Sequence, residues 1–373
     1  MAGPLTGVRV LECAGSAPTA YVATLLSGLG ADVVRIDRAP ATTPAPTATP
    51  ASGATPAPAA PRPGENPFSR GRRSVALDLK SPEGVERALG LAEHADILIE
   101  GFRPGVAERL GIGPETVLAR NPRLVYGRVS GWGQEGGWSG RAAHDLAVLA
   151  LTGALDTDPA TGAPVPPPTA YLSSFAGGAN AHVQGLLAAL YERERSGRGQ
   201  VVDTALADGA ALIATLVHQW RAAPGIHTVT DAPHYALYPT ADGHHLAVAA
   251  IEPGLYRNLL DQLGLGGNED LPDRSDPAVW PALRALIAER FASRDREHWT
   301  KVFDTVDAGV APVLTADESA RHHQLAARGS FVRVGDTLQP APASRFSRTP
   351  AAVPTPAPLP GEHTDEVLGE WRG

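Results

Sequence analysis

His144 and Asp145 stand side by side where a glycine-rich loop, GWGQEGGWSG at 131–140, runs into a segment with helical spacing. An imidazole titrates close to neutrality and can serve as a general base or acid, but a lone histidine more often has a structural role. Arginines gather around extended stretches: Arg35 and Arg38 flank the end of one, Arg70, Arg72 and Arg73 sit in SRGRRS, and Arg103 follows another in GFRPG. The carboxyl ends of strands are where open α/β sheets bind ligands, and guanidinium forks there suit a phosphorylated ribose and a pyrophosphate. The same residues also read as a solvated basic face. Glu252 precedes Pro253, a place for an acid at a helix N-terminus. Ser174, in TAYLSSFAGG, lacks the G-x-S-x-G turn of a nucleophilic serine. The pairs His244-His245 and His322-His323 are adjacent, not four apart, and read as surface histidines; His182 reads as structural. Cys13 is the single cysteine, which excludes an internal disulfide and a zinc site built on paired Cys, so no metal site is expected.

The 373 residues offer room for two domains of about 150 residues each, or one elaborated domain. With 43% hydrophobic and 19% charged residues the chain can bury a core. A net charge of −8 gives no broad cationic surface, which argues against nucleic acid and anionic membrane as partners. No stretch approaches the roughly 18 apolar residues of a membrane span, and MAGPLTGVRVLECAG lacks a basic run before an apolar one. With the lone cysteine, these features lead us to expect a cytoplasmic protein.

The elements that position these groups alternate. Residues 5–37 read as strand, helix, strand; strands follow at 75–79, 96–100 and 124–130, with a helix from Ser81-Pro82-Glu83 to His94. That order implies a parallel sheet covered by helices. A dinucleotide site is unexpected, because ECAGSAPTA has one glycine where close approach to a pyrophosphate needs G-x-G-x-x-G. Residues 39–63 hold eight Pro and nine Ala and read as a mobile surface loop. A helix capped by Ser173 runs to Gly197, and another covers about 204–222. Two strands joined at Asp242-Gly243 and helices near 253–263, 277–292 and 295–306 then form a smaller α+β domain. Residues 310–318 and the Pro-rich tail lead back to the first. The expected division is a large domain at 1–205, a linker region at 206–230, the small domain at 231–320 and a return segment at 321–373.

Taken together, PLTGVRVLE, LLSGLGADVVRIDR, RSVALDLKSPEG, DILIEGFRPGVAERLG, YGRVSGWGQEG, AAHDLAVLALTG, RSGRGQVVDTALADG, LAVAAIEPGLY and PASRFSR resemble the family III CoA-transferase and α-methylacyl-CoA racemase superfamily. His144-Asp145 and the AIEP at 250–253 bring the likeness closer to the racemase branch. The resemblance implies an α/β, Rossmann-like large domain, a small α+β domain and an interlocked homodimer. It implies no tightly bound cofactor, coenzyme A entering as part of an acyl-CoA substrate. It places Arg38 and Arg73, with Arg70, and Arg103 on the CoA moiety, His144 as the base for the α-proton of an acyl thioester, and Glu252 at the catalytic pocket.

The chain departs from the family at Ser174, which occupies the position of a catalytic Asp. That Asp is a racemase's second base and a transferase's nucleophile, and a hydroxyl is a poor base at neutral pH. Three explanations are open: Asp156 or Asp158 acts as a surrogate, His144 acts alone, or Ser174 is a nucleophile activated by His144. The second is favoured, and with it one-base isomerase, lyase or cyclase chemistry. Family III CoA transfer and a CoA-independent role on a secondary-metabolite intermediate remain the alternatives.

Overall fold

In the structure, a computed structural model that describes residues 3–38, 66–157, 164–165, 172–222, 232–351 and 354–371, the β-rich runs of the N-terminal half pair into one sheet. Residues 39–63 and Asp158 fall outside the described residues. The sheet comprises β1 (Arg9–Cys13), β2 (Asp32–Asp37), β3 (Arg72–Ala76), β4 (Ile97–Glu100), β5 (Val125–Ser130) and β6 (Val201–Ala205). Their order is β3-β2-β1-β4-β5-β6 and every pairing is parallel. Parallel neighbours need crossovers, and α1 (Ala17–Gly28), α2 (Pro82–Glu93), α3 (Asp145–Leu151) and α4 (Asn180–Ser196) lie between the strands in sequence.

Because side chains alternate along a strand, successive residues serve opposite faces. Leu11, Val34, Leu98 and Tyr126 pack with Leu89 and Leu91 of α2 and with Val367 and Trp371 near the C-terminal helix, Thr364–Glu370. Val10, Val33, Ile97 and Val125 pack on the other side with Val22 and Leu26 of α1 and Leu186 and Leu190 of α4. Both faces are therefore covered, as a parallel sheet requires.

Strand β3 ends at Ala76 rather than running from 75 to 79. Polar contacts move it. Arg72 forms a fully buried ion pair with Glu12 at 2.6 Å, Arg73 meets Asp32 at 2.7 Å, and Ser74 donates to Asp37 at 2.6 Å. The stretch expected as one helix at 204–222 is β6 followed by α5 (Leu206–Ile213) and α6 (Thr215–Ala222).

Two compact units result, Met1–His218 with Ala327–Gly373, and Gln219–Ala326. The second contains β7 (Tyr235–Pro239) and β8 (His245–Ala249), antiparallel about a turn in which Gly243 has φ +78°. Its helices include α7 (Pro253–Gln262), α8 (Trp280–Ala292) and α9 (Arg296–Phe303). Its core gathers Tyr238, Leu246, Phe291 and Trp299. Residues 310–312, expected to begin the return to the first domain, instead form β9 beside β8, with Val310 against the second unit's core. Among the described residues no helix is long and apolar enough to cross a membrane.

His182 on α4 is fully buried, its Nδ1 sharing a 2.9 Å hydrogen bond with the Thr204 hydroxyl and its Nε2 facing Gly127. Burial pushes its pKa down to about 4. The unfolded chain takes up this proton near pH 6.5 and the folded chain only near 4, so stability falls as pH drops through that interval. The loss attributable to His182 is about 3 kcal/mol. In urea unfolding across this range, His182→Asn is expected to show a correspondingly shallower acid limb; an unchanged slope would refute the assignment.

Candidate active site

The strand order reverses between β1 and β4, so the chain leaves these two neighbours in opposite directions and opens a crevice beyond their carboxyl ends. A cleft of about 620 Å³ lies there. Ser16, Ala17 and Pro18 line it from the start of α1, and Gly101 to Pro104 from the turn after β4. The two approach closely: a Cβ on Gly101 would stand 2.1 Å from Thr19 Oγ1, so only glycine fits. Ser16 caps α1, its hydroxyl 2.7 Å from that of Thr19.

Glu100 sets the turn that carries Arg103. Its carboxylate accepts the Phe102 N–H at 2.7 Å and pairs with Arg128 at 3.0 Å, while Arg128 also reaches Glu108 at 2.9 Å. Burial raises the Glu100 pKa against the opposing pull of these partners. Arg103 itself is exposed on the cleft and makes no ion pair among the described residues.

The loop after β5 delivers His144. Trp132 and Trp138 pack edge to face at 5.2 Å, Trp132 Nε1 donates to the Ala142 carbonyl at 3.2 Å, and the Arg141 guanidinium lies 4.6 Å from the centre of the Trp138 ring. Gly131 lets the ends of this loop meet, since a Cβ there would be 2.0 Å from the Ala143 methyl. His144 thus precedes α3, its carbonyl accepting Ala147 N–H at 2.9 Å, with its side chain exposed on the cleft.

Ser174 arrives from another direction. Leu172–Ala179 is a π-helical turn that leads into α4, a geometry frequent at functional sites. Gly177 and Gly178 lie against Gly209 of α5 so closely that a Cβ on Gly209 would be 2.4 Å from the Gly178 nitrogen. Ser174 N–H donates to Asp145 Oδ1 at 3.2 Å, and Ser174 Oγ–H donates to the same oxygen. Asp145 is buried, and its Oδ2 has no hydrogen-bond partner among the described residues. The hydroxyl of Ser130, at the end of β5 on the cleft wall, is also buried without a partner among the described residues.

His144, Asp145, Ser174 and Arg103 therefore share one cleft. Arg38 is exposed just beyond β2 and does not line it. Arg70 donates to Gln339 at 3.0 Å, and Arg73 is engaged by Asp32, Glu366 and Glu370 at 2.7, 2.9 and 2.6 Å. Glu252 belongs to the second unit, exposed ahead of α7, where its carbonyl accepts Tyr256 N–H at 3.0 Å. Ser173, expected as a cap, is instead buried inside the π-helical turn, its hydroxyl without a partner among the described residues. Sequence reading missed Ser16, Ser130, Arg141 and Phe175. Ser130 closes a clear strand run, the one signal that marked it.

Residues 5–364 match the sequence profile of CoA-transferase family III. The chain belongs to this family. Within CoA-transferase family III it is 41% identical to the α-methylacyl-CoA racemase of Mus musculus and 37% identical to that of Homo sapiens, each over 98% of this chain and 93% of the relative. A crystal structure of a CaiB/BaiF family protein from Brucella suis superposes with a TM-score of 0.81 over the full length of both chains at 24% identity, a likeness of fold.

Gly131→Val forces Ala143, and with it His144, out of place. We expect a stability loss of about 1–3 kcal/mol by denaturant titration. Turnover should fall by far more than the folded fraction does, and turnover that merely tracks the folded fraction would show that the loop does not position His144.

Proposed function

We propose that this enzyme of acyl-CoA chemistry removes the α-proton of an acyl-CoA thioester with His144. The observation that carries this reading is an exposed imidazole on the wall of a 620 Å³ cleft at the sheet's reversal point. An imidazole is a side chain suited to accept a proton from carbon and to return it. The unengaged Ser130 hydroxyl is a donor for the thioester oxygen as negative charge develops on it. Arg103, exposed at the rim, and Arg38 beyond β2 have no ion pair among the described residues and can meet the phosphates of CoA, whereas the three carboxylates around Arg73 support a structural duty for that side chain. Removal of the proton on the His144 side alone suffices for isomerisation, elimination or cyclisation through an enolate.

The racemase relatives, 41% and 37% identical, support a branched 2-methylacyl-CoA as substrate. A homodimer fits the exposed apolar residues on three helices, Leu146 and Leu151 of α3, Leu212 and Ile213 of α5 and Leu216 of α6.

In D₂O the wild-type enzyme is expected to wash deuterium into the α-position of 2-methylacyl-CoA, and His144→Ala to slow this by roughly 10²- to 10⁴-fold. Absence of exchange by the wild type across a panel of branched acyl-CoAs would overturn the reading. Calorimetric titration with coenzyme A is expected to show Arg103→Ala weakened by roughly tenfold or more; equal affinity would remove Arg103 from the binding site.

A further inference from the structure

We propose that Ser174 and Asp145 work as one proton-transferring unit, serving the side of the substrate that His144 does not. This rests on the reading of His144 as the base for the α-proton. A serine hydroxyl by itself cannot hold a proton taken from carbon at neutral pH, because its conjugate acid is far too strong. Backed by a carboxylate it need not. The Ser174 hydroxyl already donates to Asp145 Oδ1, and the Ser174 N–H donates to the same oxygen at 3.2 Å, so side chain and backbone together lock the pair in register.

Burial divides the labour between them. Ser174 is half-buried and lines the cleft, whereas Asp145 is 8% exposed and stands behind it. Asp145 Oδ2 is buried with no donor among the described residues, and an unsatisfied buried acceptor calls for an explanation. An acceptor kept unsatisfied is one ready to share a proton. The serine's segment is held from both sides, by the Gly177-Gly178 contact with Gly209 and by Phe175, whose ring centre lies 5.0 Å from that of Tyr21 and 5.4 Å from that of Phe68.

The step balances without a co-reactant. The Cα–H bond breaks as Ser174 Oγ takes the proton, and the Ser174 proton passes to Asp145. The electron pair left on Cα spreads into the thioester carbonyl, so one negative charge moves from the carboxylate to the enolate. His144, as imidazolium, returns a proton to Cα from its own side, and the stereocentre is inverted; the reverse reaction uses the same groups in the opposite order.

The test supplies each enantiomer of a 2-methylacyl-CoA to the enzyme in D₂O and follows α-deuterium and configuration separately. Wild type is expected to exchange and interconvert both. Asp145→Asn and Ser174→Ala should each suppress exchange from the same one enantiomer by roughly 10²-fold relative to the other, with KM little changed, and His144→Ala should show the opposite preference. The double variant Asp145→Asn/Ser174→Asp, which moves the carboxylate onto the cleft wall, should restore the suppressed exchange; a purely structural Asp145 predicts no such rescue. If Asp145→Asn misfolds, as judged by lost coenzyme A binding, Ser174→Ala, which leaves Asp145 in place, carries the same discrimination between the enantiomers. Exchange of a single enantiomer by the wild type, or equal rates for both in Ser174→Ala, overturns the unit and leaves the role of His144 standing. No exchange of either enantiomer by the wild type overturns both.

Discussion

Strand β1 pairs in parallel with β2 on one side and β4 on the other, and most of what this protein offers a ligand depends on that placement. Since all six strands run the same way, every turn that follows a strand emerges on one edge of the sheet. Since the order reverses at β1, the turns after β1 and β4 separate at that edge and leave space between them. The helix start at Ser16, the Arg103 turn and Ser130 are thereby delivered to one cleft from strands whose own side chains are engaged in two cores.

Close backbone contact supplies the rest of the geometry. Gly101 beside Thr19, Gly131 beside Ala143 and Gly209 beside Gly178 each occupy a place where a methyl group would collide. These contacts bring turns and helices nearer than ordinary side chains allow, and so bring groups 29 residues apart in sequence, Asp145 and Ser174, within hydrogen-bond reach. Around the cleft the charges are managed by enclosure. Glu100 is held by Arg128 and by a backbone N–H, so the acid nearest the Arg103 turn is occupied and the arginine stays available.

Much of the fold was legible from alternation. Continuous apolar runs such as those around Val10 and Val33 mark strands buried on both faces, and the breaks at Gly28, Gly30 and Gly197 mark helix ends. What escaped has physical reasons. Strand β3 is displaced because three polar residues find partners on β1 and β2 that no local pattern reveals. Strand β9 is three residues long, too short for a period to show. The π-helical turn differs from an α-helix in hydrogen-bond span rather than in composition, so LSSFAGGA read as an ordinary helix start. Of the site, Arg103 was readable from its place after a strand and His144 from the family resemblance of its His-Asp pair, whereas the hydroxyl–carboxylate contact at Ser174 depends on tertiary packing alone. The arginines after β2 and in β3 looked alike in sequence, and only the surrounding carboxylates distinguish Arg73 from Arg38.

The buried pair of Glu12 and Arg72 has a bearing on how this chain accommodates variation in length. Removing either partner would strand a charge in the interior at about 3–5 kcal/mol, so the pair, with Arg73 on Asp32 and Ser74 on Asp37, dictates where β3 docks without help from whatever joins it to β2. Doubling the span of such a connection adds only about 0.6 kcal/mol of closure entropy. The edge of the sheet is thus moored by its own charges, and a connection as long as the alanine and proline tract ahead of it does not unseat the strand.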